Sequence, residues 1–545
     1  MSNSKLLQGT LILTLGTYIA RVLGMIYVFP FESLVGNKGG ALFQYGYGQY
    51  TIYLSIATAG VPLAVSKFVS KYNALGDYHT SMRMFKSGMK FTMIMGVTVF
   101  AALFFLSPVI AELMLGGNSL DNSLDDVVMV IRMVSVAIIV VPTMSLIRGF
   151  FQGNGSMGPT AVSQVIEQIA RVVFLLASSY IIIKMLNGRI ATAVGFATFA
   201  AFIGALGGLA VLYWYWKKRK KHFDKLLEQS VEPANISTRD MFKELFSYAG
   251  PFVFVGLAIP LFQYVDQFMF NRAMVAAGHK DTAETLFGIT FGWVPKLVMI
   301  PVSIATAFGL TLVPTITDSY VNGKRRTLKN QIDQTYQTIM FLVLPAVIGM
   351  CVLAYPIYAL MYSTSDLGGQ MLATYAPLAL FFSFFTVNAA ILQGINKQRY
   401  AVISLVLGLL VKIVFNFPLT YYLQATGSIL ATALGYFVAI AYTFYMIQKH
   451  AAYKFTLFVK RSILIILFVA IMALAVWLVQ LGLSSFVSYK DGRIAAGLIS
   501  FAGVGIGGAL YLGLAYKSRL LNIVFGDGFV NKITRRFKRN KVREQ

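Results

Sequence analysis

Residues 463–483 read ILIILFVAIMALAVWLVQLGL, an almost entirely apolar run that contains no Asp, Glu, Lys or Arg. An α-helix crosses the hydrocarbon core of a bilayer with about 20 such residues. Comparable runs centre near Leu15, Ile56, Val97, Ile138, Leu175, Ala201, Leu257, Ile304, Leu344, Phe381, Leu407, Leu434 and Val504. The sequence therefore predicts an all-α polytopic membrane protein with about 14 transmembrane helices.

The overall composition agrees with a membrane protein. Of the 545 residues, 57% are hydrophobic and 12% are charged, whereas soluble domains carry about 25% charged residues. The single cysteine, Cys351, excludes an internal disulfide framework and a cysteine-based metal cluster. No phosphate-binding loop of the form G-x-x-x-x-G-K-[ST] occurs. We therefore expect no metal, no cofactor and no ATP-driven pump within this chain.

The distribution of basic residues predicts the orientation. Most of the 46 Lys and Arg residues fall in alternate loops between the predicted spans, as expected for loops on the cytoplasmic side. This pattern predicts a multi-pass protein of the cell membrane with cytoplasmic N- and C-termini. Topology and anionic membrane lipids explain the net charge of +25, so we expect no nucleic-acid partner.

Short sequence matches predict an internal repeat. The stretch SIATA occurs at residues 55–59 and again at residues 303–307, in the predicted second and eighth spans. At one common spacing, Gln152-Gly153, Ser163, Arg171, Val173 and Phe174 match Gln393-Gly394, Ser404, Lys412, Val414 and Phe415. Matches in the same order and six spans apart predict two parallel six-helix lobes, followed by two C-terminal helices.

The predicted organisation has five parts. They are an N-terminal lobe with spans one to six (1–216), a cytoplasmic linker (217–243), a C-terminal lobe with spans seven to twelve (244–450), spans thirteen and fourteen (451–517) and a basic cytoplasmic tail (518–545). The linker is polar and basic, which predicts a surface helix on the inner leaflet.

This plan resembles the MurJ-type lipid II flippases, Gram-positive branch, of the multidrug/oligosaccharidyl-lipid/polysaccharide exporter superfamily. The resemblance covers nearly the whole chain. The residues that carry it are Ala20-Arg21-Val22-Leu23-Gly24, Val265-Asp266, Pro295-Lys296 through Pro301 to Leu312-Val313-Pro314, and Leu430-Ala431-Thr432. It implies a flippase, not an enzyme, that functions as a monomer. The substrate implied by the resemblance is a polyprenyl-diphosphate-linked sugar precursor, with lipid II for peptidoglycan as the expected one, moved from the inner to the outer leaflet by alternating access.

Two intramembrane cations are candidate substrate-binding residues. Arg21 and Lys296 lie within the first and eighth spans, and neither has an acidic residue three or four positions away. A cation at mid-span costs about 2.5–3.5 kcal/mol and usually faces a water-filled cavity. One cation from each lobe could bind phosphate oxygens near the midplane, and the resemblance implies this role for both. The alternative is that they snorkel to the interface or bond to helix carbonyls.

Other functions remain open. One is a different polysaccharide-lipid exporter, and another is a cation-coupled multidrug exporter of the same superfamily. The drug exporter is disfavoured because Arg21 and Lys296 would repel cationic amphiphiles. A membrane glycosyl polymerase would need a carboxylate or similar base in a large outer loop, and the predicted outer loops are short.

The resemblance also places Asp266 at a coupling-ion site, together with Lys412, Asn416 and Thr432. The family's usual residue at the position of Lys412 is a neutral Asn, so the ammonium could lie where a sodium ion would otherwise bind. We expect an Asp266–Lys412 ion pair, with a sodium site as the alternative. Separately, Glu167 and Arg171 have the four-residue spacing of an ion pair within one helix.

Overall fold

A computed structural model of the chain describes residues 3–58, 61–116, 120–231, 237, 239–240, 243, 250 and 253–525. Most of the described residues are helical, and none of them forms a β-strand. The prediction of an all-α membrane fold is confirmed.

The chain divides into two compact units, Met1–Trp293 and Val294–Gln545. The helices of the first unit are α1 (Asn3–Ile26), α2 (Val28–Thr58), α3 (Val61–Ala74), α4 (Tyr78–Leu115), α5 (Leu124–Ser135), α6 (Ala137–Gly153), α7 (Gly158–Tyr180), α8 (Ile190–Glu228), α9 (Ala258–Ala276) and α10 (Lys280–Phe287). Two π-helical turns, Ile181–Met185 and Gly288–Trp293, extend α7 and α10.

The second unit continues directly from the second π-helical turn. Its helices are α11 (Val294–Val321), α12 (Arg325–Val352), α13 (Ala354–Met361), α14 (Asp366–Tyr375), α15 (Leu378–Gly394), α16 (Gln398–Ala451), α17 (Thr456–Ser484), α18 (Arg493–Lys517) and α19 (Leu520–Phe525). A short 3₁₀ turn, Tyr489–Asp491, lies between α17 and α18.

Polar caps and backbone breaks set several helix boundaries. The Asp77 carboxylate accepts a hydrogen bond from the backbone N–H of Thr80 at 2.8 Å and caps α4. Between α1 and α2 the helix axis bends by 41°. Within α2, Gly36 has φ 63° and ψ −167°, a backbone conformation that favours glycine because it carries no Cβ. The helical backbone is therefore broken at Gly36, between the centres of the predicted first and second spans.

Ten helical runs within the described residues are long and apolar enough to cross a membrane, or eleven if the bent pair Leu15–Ile26 and Val28–Thr58 is one span. The expected count of about 14 is not confirmed. Part of the difference lies in α16, which has 54 residues. As a straight helix it would be about 80 Å long, more than twice the roughly 30 Å hydrocarbon core.

Helix α16 is a hairpin of two antiparallel segments. At Gln424 the backbone leaves helical geometry, with φ 53° and ψ −137°. On either side of this point the chain packs against itself, because a Cβ built on Gly408 would lie 2.7 Å from the carbonyl oxygen of Gly435. Nearer the turn, Gly427 lies directly against the backbone of Leu419. The two segments correspond to the predicted eleventh and twelfth spans.

The two C-terminal helices α17 and α18 pack on α12. A buried apolar cluster joins them, and it includes Met340, Phe341, Ile465, Phe468, Val469, Met472, Val476 and Tyr511. The Tyr511 hydroxyl donates a hydrogen bond to the carbonyl oxygen of Phe341 at 2.9 Å. Shape-matched packing and buried hydrogen bonds are what hold helices together in lipid, so these two helices are firmly attached to the second unit.

The predicted linker is helical in its first part, since α8 runs without interruption to Glu228. Residues 232–236, 238, 241–242 and 244–249 lie outside the described residues, as does the tail from residue 526 onwards. The two units divide within the predicted eighth span, and the five-part organisation stays a prediction.

Candidate functional site

Arg21 is an exposed residue on α1, the helix that packs against α7. Six large apolar residues of α1 are also exposed, namely Ile12, Leu15, Tyr18, Ile19, Val22 and Ile26. At about 100° per residue, they form a stripe centred about 130° around the helix from Arg21. Arg21 instead lies beside Gly24, whose built Cβ would be 3.1 Å from the side-chain nitrogen of Gln168 on α7. Arg21 therefore lies at the edge of this apolar stripe, on the side nearer α7.

Lys296 lies in the first turn of α11 and is half-buried. Its neighbours Val294 and Val298 are fully buried. The π-helical turn Gly288–Trp293 comes immediately before α11, and such turns occur frequently at functional sites. The local backbone is therefore unusual where the second candidate substrate-binding cation lies.

The α16 hairpin brings together Lys412, Asn416 and Thr432. The ammonium of Lys412 donates a hydrogen bond to Thr432 Oγ1 at 2.5 Å. The hydroxyl of Ser428 donates to Asn416 Oδ1 at 3.1 Å. Lys412 and Asn416 are fully buried, and Thr432 is 5% exposed. Within the described part of the chain the amide nitrogen of Asn416 has no hydrogen-bond partner, so this polar cluster keeps one buried donor available.

Asp266 lies on α9 in the first unit and is 2% exposed. The next residue, Gln267, accepts a hydrogen bond from Gln49 Nε2 at 2.9 Å and donates one to the carbonyl oxygen of Gln44 at 3.2 Å. These bonds fix α9 against α2. Three of the four predicted coupling residues thus lie together in the second unit, and Asp266 belongs to the first. Its pairing with Lys412 stays a prediction.

The predicted Glu167–Arg171 ion pair is wrong. Glu167 instead pairs with Arg148 of the neighbouring α6, with 2.7 Å between Oε2 and Nη2. The same guanidinium also donates to Ser163 Oγ at 2.7 Å. Arg171 lies over the ring of Tyr47, with 5.3 Å between Cζ and the ring centroid. Helix spacing identified the acid but not its partner, since the nearer cation came from another helix.

A second polar cluster was not predicted from the sequence. The hydroxyl of Tyr45 donates to Glu284 Oε1 at 3.2 Å and accepts a hydrogen bond from Asn271 Nδ2 at 2.6 Å. The backbone N–H of Asn122 donates to Glu284 Oε2 at 2.7 Å. These side chains are buried and link α2, α9, α10 and the segment before α5. Their sequence separation leaves no local spacing that could have revealed the cluster.

The described residues contain no group of three or more His, Cys, Asp or Glu side chains that could hold a metal ion. The geometry offers intramembrane cations and two buried polar clusters, one around the Lys412 ammonium and one around the Glu284 carboxylate. Such groups can bind an anion and can exchange hydrogen bonds as helices move.

Comparisons with known proteins agree with this arrangement. A family model described as polysaccharide biosynthesis protein matches residues 6–320. A second, described as lipid II flippase MurJ, matches residues 295–490.

Among curated proteins, the lipid II flippase MurJ of Bacillus subtilis (strain 168) is 53% identical over 540 residues, which cover 97% of this chain and 99% of that protein. Stage V sporulation protein B of the same organism is 25% identical over 80% of this chain and 82% of that protein.

Solved structures support the fold. The inward closed conformation of the lipid II flippase MurJ aligns with a TM-score of 0.65 at 14% identity, covering 94% of this chain and 99% of that one. An inward-facing conformation of a multidrug resistance MATE family transporter of the MOP superfamily aligns with a TM-score of 0.60 at 14% identity, covering 79% of this chain and 98% of that one. On the strength of the 53% identity along almost its full length, this chain belongs to the MurJ family of lipid II flippases.

Proposed function

We propose that this chain moves lipid II, a polyprenyl-diphosphate-linked sugar precursor of peptidoglycan, from the inner to the outer leaflet of the cell membrane. The observation that carries the proposal is 53% identity to a protein named lipid II flippase MurJ, over 97% of this chain. We further propose that the chain acts as a monomer without enzymatic activity and that both of its termini are cytoplasmic.

Two cations are proposed to bind the diphosphate of the substrate. The guanidinium of Arg21 can donate two parallel hydrogen bonds to phosphate oxygens, and Lys296 adds a compact positive charge. The exposure of Arg21 and the partial exposure of Lys296 support this role, because a substrate can reach both side chains. No bond of the substrate is broken, so the residues need only bind the headgroup on one side and release it on the other.

The proposal is tested with purified protein in proteoliposomes that contain fluorescent lipid II. A membrane-impermeant quencher measures how much of the lipid has reached the opposite leaflet. We expect flipping that depends on the protein and is not shared by a fluorescent phosphatidylglycerol. Equal flipping of both lipids, or none of lipid II under an imposed potential, contradicts the proposed substrate.

We also propose that Asp266 and Lys412 form an ion pair during transport. Both side chains are almost or completely buried, and intramembrane charges pair with one another wherever they can. The ammonium of Lys412 donates to the neutral hydroxyl of Thr432, and the proposed pair places a carboxylate beside the same ammonium.

Removing one charge of the Asp266–Lys412 pair is expected to destabilise the protein more than removing both charges. Asp266→Asn or Lys412→Met alone leaves one buried charge, at a cost of about 3–5 kcal/mol. The double variant should be destabilised less than the sum of the two single variants. Thermal melting of the four proteins in detergent measures the coupling. Strictly additive effects would refute the pair.

The driving force is expected to be the membrane potential. Outward movement of an anionic headgroup gains about 2.3 kcal/mol per charge per 100 mV when the inside is negative. The return of empty Arg21 and Lys296 towards the inside is favoured by the same field. Transport should therefore persist when sodium is replaced by choline at constant potential and fall when valinomycin removes the potential. Loss of transport on sodium removal, with no response to voltage, would show that sodium drives the cycle.

A further inference from the structure

Arg171 on α7 is an intramembrane cation. The proposed diphosphate contacts use Arg21 and Lys296, and they leave Arg171 without a role. Its guanidinium carbon lies 5.3 Å from the centre of the Tyr47 ring. Tyr27, Tyr50 and Glu167 also lie near enough to Arg171 to interact with it electrostatically. Three tyrosines from α2 and from the break before it therefore surround one guanidinium.

Arg171 differs from the neighbouring intramembrane Arg148. Arg148 has an ion-paired carboxylate, since Glu167 lies 2.7 Å away, and it has Ser163 as a second partner. Among the described residues, no carboxylate forms an ion pair with Arg171. Tyrosine rings attract a cation through their faces, but a phenol carries no charge. The Glu167 carboxylate also interacts electrostatically with Arg171, but its ion pair is with Arg148, so Arg171 shares this carboxylate and has none of its own.

Arg171 and Arg21 lie on two helices that run side by side in the same direction. Gly16 of α1 lies against Ala161 of α7, and further along Gly24 lies against Gln168. This register places Tyr27 level with Arg171. Arg21 comes six residues before Tyr27, which is about 9 Å along the helix axis. The first unit therefore presents two arginines at successive levels along one pair of helices.

The internal repeat offers a comparison, because the spacing that matches Ser163 with Ser404 also matches Arg171 with Lys412. Lys412 is fully buried and donates to Thr432. Arg171 is half-buried, as is Tyr47 next to it. The matched positions thus share a positive charge, but only Arg171 is exposed enough to meet a substrate.

We propose that Arg171, together with the hydroxyls of Tyr47 and Tyr50, binds phosphate oxygens of the lipid-linked diphosphate as a second cationic step after Arg21. The inference rests on the proposed flippase function and adds binding residues to it. Its chemistry is the bidentate contact of a guanidinium with phosphate, supported by neutral phenol donors. A substrate that leaves Arg21 would meet a further cation one to two helical turns along its path.

The test measures binding of a polyprenyl diphosphate without sugar to the full-length protein in detergent, by native mass spectrometry. Phosphatidylglycerol is the competing lipid, because its phosphate could also bind a guanidinium. We expect Arg171→Gln to weaken polyprenyl diphosphate binding about tenfold or more, with Arg171→Lys intermediate and phosphatidylglycerol binding unchanged. The matched control is Arg132→Gln, because Arg132 is also an intramembrane arginine and donates to Ser107 Oγ at 3.0 Å. The affinity of this variant for polyprenyl diphosphate should stay within about twofold of wild type.

The outcomes separate the two proposals. If the wild-type protein does not bind polyprenyl diphosphate, the flippase proposal fails. If the wild type binds it and Arg171→Gln binds equally well, only the role of Arg171 is overturned. Equal weakening for both lipids would assign the site to bulk phospholipid and reject the substrate contact. Should Arg171→Gln fail to fold, Tyr50→Phe decides, because it removes one hydroxyl and little else. Unchanged affinity in that variant rejects the site.

Discussion

Alanine at Arg21 or at Lys296 is expected to abolish lipid II flipping while the protein remains in the membrane at its normal level. Each hydrogen bond from a charged donor contributes about 1.5–3 kcal/mol, so loss of a bidentate phosphate contact lowers affinity at least about a hundredfold. Arg21 is exposed, so its removal leaves no cavity in the packed interior. The quencher assay in proteoliposomes measures transport, and melting in detergent confirms the fold.

Two control variants accompany this experiment. Arg21→Lys keeps the charge but loses the planar fork, and we expect partial transport from it. Lys184→Ala removes an exposed cation at the end of α7 and should transport like the wild type. Full activity of both Arg21→Ala and Lys296→Ala would rule out the diphosphate contacts.

The substitution Gly427→Ala should destabilise the protein by about 3 kcal/mol or more. A Cβ at this position would overlap the carbonyl oxygen and carbon of Leu419, and these main-chain atoms cannot rotate away as a side chain could. The α16 hairpin would have to open, which would also separate Lys412 from Thr432. A large drop in melting temperature in detergent is the expected result.

Gly505→Ala is the matched control for Gly427→Ala. Gly505 is also helical, on α18, and an added Cβ there would meet no described atom within 4 Å. Alanine is the better helix former by about 1 kcal/mol, so this variant should melt at or slightly above the wild-type temperature. Similar melting of both variants would mean that the close approach at Gly427 is not needed.

The fold class could be predicted from the sequence because lipid imposes a simple constraint. Runs such as 463–483 have few alternatives to a membrane-spanning helix, and the structure forms α17 there. The meeting of Lys412 with Thr432 also followed from the resemblance. The spans centred near Leu407 and Leu434 predicted a turn between them, but its position at Gln424 was not visible, because Gln424 is neither glycine nor proline.

Contacts between distant helices were beyond the reach of the sequence. Glu167 had a cation at the correct helical spacing, but Arg148 on another helix lies closer. Tyr45, Asn122 and Glu284 form one buried cluster although they come from three separate parts of the chain. Local spacing reports which residues share one helix face. It does not report which faces of different helices pack together.

The contact of α2 with α9 differs in kind from the apolar attachment of α17 and α18. Amide hydrogen bonds between Gln49 and Gln267, and from Gln267 to Gln44, fix it. Each such bond is worth only about 0.5–1.5 kcal/mol net when water can replace the lost partner. Two helices joined in this way can part, hydrate their amides and close again at small net cost. Helix contacts made by such hydrogen bonds are suited to repeated opening, whereas the apolar packing of α17 and α18 is suited to a permanent attachment.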